Sequence, residues 1–91
     1  MQYYLIEWEH EEPDDPYQVY LELDSTGHLL RRIDAYRFGL YEPFESADAP
    51  MTDPRQVAGD SGSVSKVHAA QFQDLWERCR EMPDDFMSIY F

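Results

Sequence analysis

Residues 17–37 read YQVYLELDSTGHLLRRIDAYR, and this stretch decides the fold of the chain. Two runs rich in aromatic and branched residues flank the tetrapeptide Asp24–Gly27, and such runs favour strands. Asp suits the first position of a β-turn, and glycine tolerates the positive φ of a later one. The pattern therefore predicts an antiparallel hairpin. Neither alternating face of its second strand is wholly apolar, which indicates a bulge near Leu29 and Leu30.

A further strand is predicted before this hairpin, over residues 2–9. Alternation places Tyr4, Ile6 and Trp8 on one face, which we interpret as the core face. The two prolines of residues 10–16 each remove a backbone donor, so this segment is predicted to be a loop. A short fourth strand is expected after the hairpin, near residues 40–44.

The second half of the chain predicts one helix. Apolar residues recur there at the helical period, namely Phe72, Leu75, Trp76, Cys79 and Met82. Pro83 is expected to end the helix. The whole chain then reads as a single α+β domain, an antiparallel β-meander of three or four strands packed against one C-terminal helix. Its segments are the meander (1–44), a loop that holds one helical turn near residues 53–57 (45–63), the helix (64–82) and a packed tail (83–91).

Charge narrows the range of partners. The 91 residues include 19 Asp and Glu but only 7 Lys and Arg, which gives a formal charge of -12. Residues 1–30 hold eight of the acids and no Lys or Arg. This balance disfavours direct contact with nucleic-acid phosphates and with anionic membranes. Hydrophobic residues make up 43 % of the chain, which is too much for a disordered acidic tail.

The compartment is predicted from simple features. The N-terminus lacks the pattern of a signal peptide, and no apolar run approaches the length of about 20 residues that a membrane helix needs. The single cysteine, Cys79, has no partner for an internal disulfide. We therefore expect a cytoplasmic protein. So small a domain without a disulfide needs another source of stability, and we expect this to be aromatic packing. Formation of a homodimer is the alternative source.

No catalytic signature stands out, so we expect neither an enzyme nor a cofactor or metal site. His10 precedes two glutamates but lacks the second histidine of a zinc helix. Cys79 lies on the apolar stripe of the helix and reads as a core residue. The main basic residues are expected to pair with acids across the sheet, with a small anion site as the alternative. These are Arg31, Arg32 and Arg37, and the candidate acids are Glu7, Glu9, Glu22 and Asp34.

Four short motifs carry a resemblance. They are Trp8-x-His10, Glu22-Leu23-Asp24, Arg31-Arg32-x-Asp34-x-Tyr36-x-x-Gly39 and Phe72-x-x-x-Trp76. Together they resemble a family of small, uncharacterised bacterial domains, and the resemblance covers residues 3–78. It implies a strand, a hairpin and a C-terminal helix, but no activity. In size and charge the chain is also similar to the immunity proteins that bacteria encode beside secreted toxins.

The preferred hypothesis is an acidic binding protein that neutralises a basic partner, such as a toxin with nuclease activity, by occluding its active site. The predicted interface consists of Glu7, Glu9, Glu11, Glu12, Asp14, Asp15, Tyr20, Glu22, Asp24, Tyr36 and Tyr41. Tyrosines are included because they are enriched among interface hot spots. Two alternatives stay open, a DNA-mimicking anti-restriction protein and a small ligand-binding domain that uses His10 or the arginines.

Overall fold

A computed structural model describes residues 1–10, 12 and 14–90, without the side chains of Phe38 and of residues 80–90. The strands are β1 (Gln2–Glu7), β2 (Gln18–Leu23), β3 (Leu29–Ala35), β4 (Tyr41–Glu45) and β5 (Ser63–Lys66). The helices are α1 (Pro54–Ala58) and α2 (Ala69–Tyr90), with a 3-10 turn at Arg37–Gly39. The strands form one antiparallel sheet in the order β4-β3-β2-β1-β5. The α+β class is confirmed, but the expected count of three or four strands is wrong, because the sheet has five.

The fifth strand is the element that the sequence conceals. β5 reads Ser-Val-Ser-Lys and pairs with the outer edge of β1, where Lys66 lies opposite Tyr4. A four-residue strand with one apolar side chain has no readable alternation, so its conformation depends on the ladder that β1 offers. This is why the sequence predicted a loop to residue 63 and a helix from residue 64.

The central hairpin has the predicted form. The Asp24 carboxylate accepts hydrogen bonds from the backbone N–H groups of Thr26 at 2.9 Å and His28 at 3.0 Å. Gly27 has a φ of 93°, the left-handed conformation that glycine adopts without strain. The register between β2 and β3 skips Leu30, which confirms the bulge. The one-turn helix expected near residues 53–57 is α1, capped by the Asp53 side chain.

Two apolar clusters cover the two faces of the sheet. One consists of Ile6, Val19, Leu21, Leu23 and Ala58, and the other of Ile33, Phe72, Leu75, Trp76 and Cys79. Tyr4 and Trp8 pack against the first cluster, as predicted, but this is the α1 side. Helix α2 covers the opposite face, where Tyr3 and Tyr20 lie. Both faces of β1 carry aromatic side chains, so alternation alone could not assign the helix to either.

Helix α2 extends beyond its predicted end. The sequence predicts a stop at Pro83, whereas the helical backbone continues to Tyr90. A proline removes one hydrogen bond of the ladder and costs about 3 kcal/mol, but neighbouring residues can keep theirs. The expected packing of tail 83–91 lies outside the described side chains. None of the helices in the described part of the chain combines the length and apolar character needed to cross a membrane.

Candidate functional site

The antiparallel sheet brings two connections together at one of its ends. Glu7 at the end of β1 lies opposite Gln18 at the start of β2, and Gln18 lies opposite Ala35 at the end of β3. The β1–β2 loop therefore lies beside the turn that joins β3 to β4. Two contacts join these segments: Tyr17 N–H donates to the Ala35 carbonyl at 3.0 Å, and the Arg37 guanidinium donates to the His10 carbonyl.

The imidazole ring of His10 makes two hydrogen bonds to other residues of this loop. Its Nδ1 accepts the backbone N–H of Glu12 at 3.1 Å, and its Nε2 lies 2.9 Å from the Pro16 carbonyl. Because a backbone N–H can only donate, Nδ1 is unprotonated and Nε2 carries the proton that Pro16 accepts. Both ring nitrogens are thereby used inside the loop. His10 is a structural residue here, because its ring links the described residues Glu12 and Pro16 of the loop.

Exposed carboxylates lie in and around this loop. We call the group the acidic end; it consists of Glu7, Glu9, Glu12, Asp14, Asp15 and Glu42, all exposed. Within the described residues, the ion pairs are formed by Glu22, Asp24 and Asp34, none of which belongs to this group. The one side-chain hydrogen bond that the group accepts there runs from Gln18 to Glu7 at 3.0 Å. Glu11, which was also predicted to belong to the surface, lies outside the described residues. The acidic end thus presents carboxylates whose charge is not neutralised by the described bases.

Tyr36 lies beside the acidic end, and Glu42 is the acid that the sequence prediction missed. Burial raises the pKa of the Tyr36 phenol, and the nearby charges of Glu42 and Asp15 raise it further. Glu42 joins the group because the β3–β4 register places it opposite Asp34, one residue pair from the end of the sheet. The sequence located β4 but contained no signal for this register.

Two of the predicted tyrosines face the interior instead. Tyr20 and Tyr41 are half-buried and pack against the cluster beneath α2. Burial is the main cause that raises the pKa of Tyr20. Their side chains support the helix, whereas Tyr36, which is also half-buried, lies near the acids Glu42 and Asp15.

Glu22 is not part of any exposed surface, which corrects its predicted role. The residue is only 5 % exposed, and its carboxylate accepts two hydrogen bonds from Arg31, at 2.6 and 2.7 Å. The Tyr3 hydroxyl donates a third at 2.9 Å. The bonds from Arg31 are the main cause that lowers the pKa of Glu22. The expected pairing of Arg31 is confirmed, and Arg32 likewise bonds to Asp34 at 2.5 Å.

Asp24 lies at the far end of the sheet, in the β2–β3 turn. Hydrogen bonds from His28 and then from Thr26 hold the pKa of its carboxyl at about 2. The strand between Asp24 and the β1–β2 loop is six residues long, which corresponds to roughly 17–20 Å. The acids predicted for the interface therefore fall into three groups. They are the exposed acids of the acidic end, the buried Glu22, and Asp24, whose carboxylate stabilises the β2–β3 turn.

His10, Glu22 and Arg31 do not come together in one ligand site, which was the alternative left open by the sequence. His10 bonds inside its own loop, whereas Glu22 and Arg31 pair beneath α2. Among the described residues, no group of three or more His, Cys, Asp or Glu is arranged to hold a metal ion. Cys79 is buried in the α2 cluster, and this burial raises the pKa of its thiol.

A family model described as a domain of unknown function (DUF6881) matches residues 2–81. No curated protein and no solved structure matches the chain. The match extends from β1 into α2, so the sheet and the acidic end both lie inside the family domain.

Proposed function

The chain belongs to the DUF6881 family of domains of unknown function, and we propose that it is a binding protein that neutralises a basic protein partner through its acidic end. The observation that carries this proposal is the gathering of exposed carboxylates at one end of the sheet, around a loop whose described residues His10, Glu12 and Pro16 are joined by hydrogen bonds. The partner of best fit is a bacterial toxin that acts on nucleic acid. The protein would then be an immunity protein.

Occlusion is the mechanism that this surface supports. A nuclease holds phosphates with Lys and Arg, and carboxylates at similar positions compete for the same cations. Tyr36 lies among the acids and supplies apolar area with a polar tip, the combination that favours a hot spot. No catalytic step by this chain is needed, because covering the active site of the partner is enough to inhibit it.

Hydrogen bonds within the acidic end support tight binding. His10 links Glu12 and Pro16, and Arg37 binds the His10 carbonyl, so these residues are held in place before any partner arrives. A surface that is ordered in advance loses less conformational entropy on binding. Concentrated negative charge also steers a basic partner, and steered association reaches on the order of 10⁸–10⁹ M⁻¹s⁻¹ at low salt. Cys79 is a free, buried thiol, and we place the encounter in the reducing cytoplasm.

DNA mimicry is the weaker alternative. A mimic would present acids along an elongated surface, with spacing near the one charge per roughly 1.7 Å of duplex axis. Here six exposed acids gather at one end of a five-stranded sheet. This arrangement favours a compact basic site on one partner over a groove that accepts any duplex.

The test begins with co-purification of the protein and the product of the adjacent gene. Binding is then measured by calorimetry for a variant in which Glu12, Asp14 and Asp15 are all replaced by Lys. The control replaces Asp48, Asp74 and Glu77 by Lys, because these acids are also exposed but lie away from the acidic end. Both variants undergo the same change in net charge.

We expect the acidic-end variant to lose binding by at least a hundredfold, and the control by less than tenfold, because only the first replaces contacts by repulsion. Equal weakening in both variants would show that overall charge alone drives association. Inhibition of several unrelated nucleases, relieved by added duplex DNA, would point to DNA mimicry instead.

A further inference from the structure

The two edges of the sheet differ in the backbone groups that they present. In the ladder between β1 and β5, Val67 N–H donates to the Tyr3 carbonyl at 3.0 Å, and the register places these two residues opposite each other. Because hydrogen-bonded and non-bonded pairs alternate in an antiparallel ladder, Ser65 and Ser63 also face β1. The N–H and C=O groups of Val64 and Lys66 therefore point away from the sheet.

The opposite edge is closed by a proline. In the ladder between β3 and β4, Ser46 N–H donates to the Leu30 carbonyl at 2.9 Å. The same alternation turns the backbone of Pro43 outward at the middle of β4. Proline has no N–H to offer, and edge strands use it to prevent pairing with other chains. The β5 edge has no such block, and no described residue bonds to its outward groups.

A groove lies beside the unblocked edge. It has a volume of about 320 Å³ and is lined by Tyr4 of β1, by Val64, Ser65 and Lys66 of β5, and by residues 53–55. Lys66 and Arg55 both line it, against the single acid Asp53. The groove is thus locally cationic in a chain with a formal charge of -12. This contrast with the rest of the surface indicates an acidic occupant.

We propose that the β5 edge binds an extended segment of another protein, which adds a strand to the sheet and places an acidic side chain between Lys66 and Arg55. The outward groups of Val64 and Lys66 supply main-chain hydrogen bonds, and the groove receives alternate side chains. A second copy of this chain fits less well, since it brings the same large negative charge to the edge. Glu7 of the acidic end lies opposite Ser63, at the other end of β5 from Lys66, and its repulsion is screened over about 8 Å at physiological salt.

The basic part of this binding surface lies away from the acidic end, although Ser63 at the start of β5 pairs with Glu7. The proposal does not depend on the function proposed above. Lys66 lies opposite Tyr4, towards the end of β1 that is remote from Glu7. A segment bound along β5 would therefore leave the carboxylates of the β1–β2 loop accessible.

The test uses the ¹⁵N-labelled full chain and a capped hexapeptide of alternating Thr and Glu, with a Thr and Lys hexapeptide as the matched control. We expect the acidic peptide to slow amide exchange at Val64 and Lys66, while Ser63 and Ser65, already bonded to β1, stay unchanged. The basic peptide should have no effect. Exchange that is slowed only at high protein concentration, without peptide, would favour a second copy and overturn the proposal.

Variants separate the backbone contribution from the charge. Lys66→Ala keeps the outward N–H and should weaken binding by about two- to fivefold, the size of one exposed ion pair. Lys66→Pro also removes the N–H and should abolish binding, although the ladder with β1 does not use that group. Arg55→Glu changes the other basic residue of the groove, which lies outside β5. Binding should weaken by more than in Lys66→Ala, because the substitution replaces a positive charge by a negative one. Equal binding by all three variants and the original chain would overturn the proposal.

Discussion

Arg31 is the residue that joins the sheet to helix α2. Its guanidinium bonds to Glu22 and lies 5.1 Å from the ring centre of Phe72 and 4.8 Å from that of Trp76. The charge is therefore neutralised by a carboxylate and covered by aromatic faces, an arrangement that tolerates burial. The pairing of Arg31 with an acid could be predicted from the sequence. The position of both groups under a helix could not, because it depends on which face α2 covers.

Removing Glu22 should destabilise the fold more than removing an exposed acid. Glu22→Ala leaves Arg31 without its carboxylate in a mostly buried position, and we expect the free energy of unfolding to fall by about 2–3 kcal/mol. Urea denaturation measures this change. The control Glu9→Ala removes an exposed acid and should alter the free energy by no more than about 0.5 kcal/mol. Equal effects of the two substitutions would contradict the role assigned to the pair.

Asp24 should make the stability of the fold depend on pH in the acid range. The folded protein holds its pKa at about 2, below the ordinary value of 3.8. A lowered pKa stabilises the fold above the ordinary value, and the contribution is lost as pH falls towards the folded value. In Asp24→Asn we therefore expect the stability deficit to be constant above about pH 5 and to shrink between about pH 4 and pH 2.

Thermal unfolding of the original protein and of Asp24→Asn, between about pH 5 and pH 2, measures this difference in stability. The control Asp48→Asn replaces an exposed acid outside the turn, so it removes one carboxylate without altering the hydrogen bonds of Asp24. A deficit for Asp24→Asn that stays constant down to pH 2 would show that the turn does not stabilise the charged carboxylate.

At the scale of elements, the sheet shows which signals a sequence contains. The turn at Asp24–Gly27 and the bulge at Leu30 were predictable because each depends on local residue types. β5 was not, since a short polar strand is defined by the neighbour it pairs with. Likewise, Glu42 enters the acidic end through the β3–β4 register, which no local pattern encodes.

The β4 edge offers a prediction of its own. Replacing Pro43 by Thr restores an outward N–H at the middle of the strand and should speed self-association, because an open edge is a template for pairing. Light scattering at raised protein concentration measures the rate. The control Phe44→Thr changes an exposed side chain whose backbone faces β3, so it adds no outward donor. Faster association in the control than in Pro43→Thr would contradict the blocking role of the proline.

At the scale of the whole molecule, the position of the charge matters more than its total. The sequence showed that residues 1–30 hold an excess of acids, and the structure divides those acids among three settings. Glu22 is buried against Arg31, Asp24 holds a turn, and the carboxylates of the β1–β2 loop remain exposed at one end of the sheet. The surface proposed for a basic partner is therefore smaller and more concentrated than the sequence alone indicated.

The most direct test of the central claim is the association rate constant with the basic partner, measured by stopped flow at low and at physiological salt. We expect a fast rate for the original protein that falls steeply as salt rises. Replacing Glu12, Asp14 and Asp15 by Lys should slow association by at least tenfold and remove most of the salt dependence. The control variant at Asp48, Asp74 and Glu77 should retain both the fast association rate and its dependence on salt. The same slowing in the two variants would contradict the claim that the acidic end is where the partner binds.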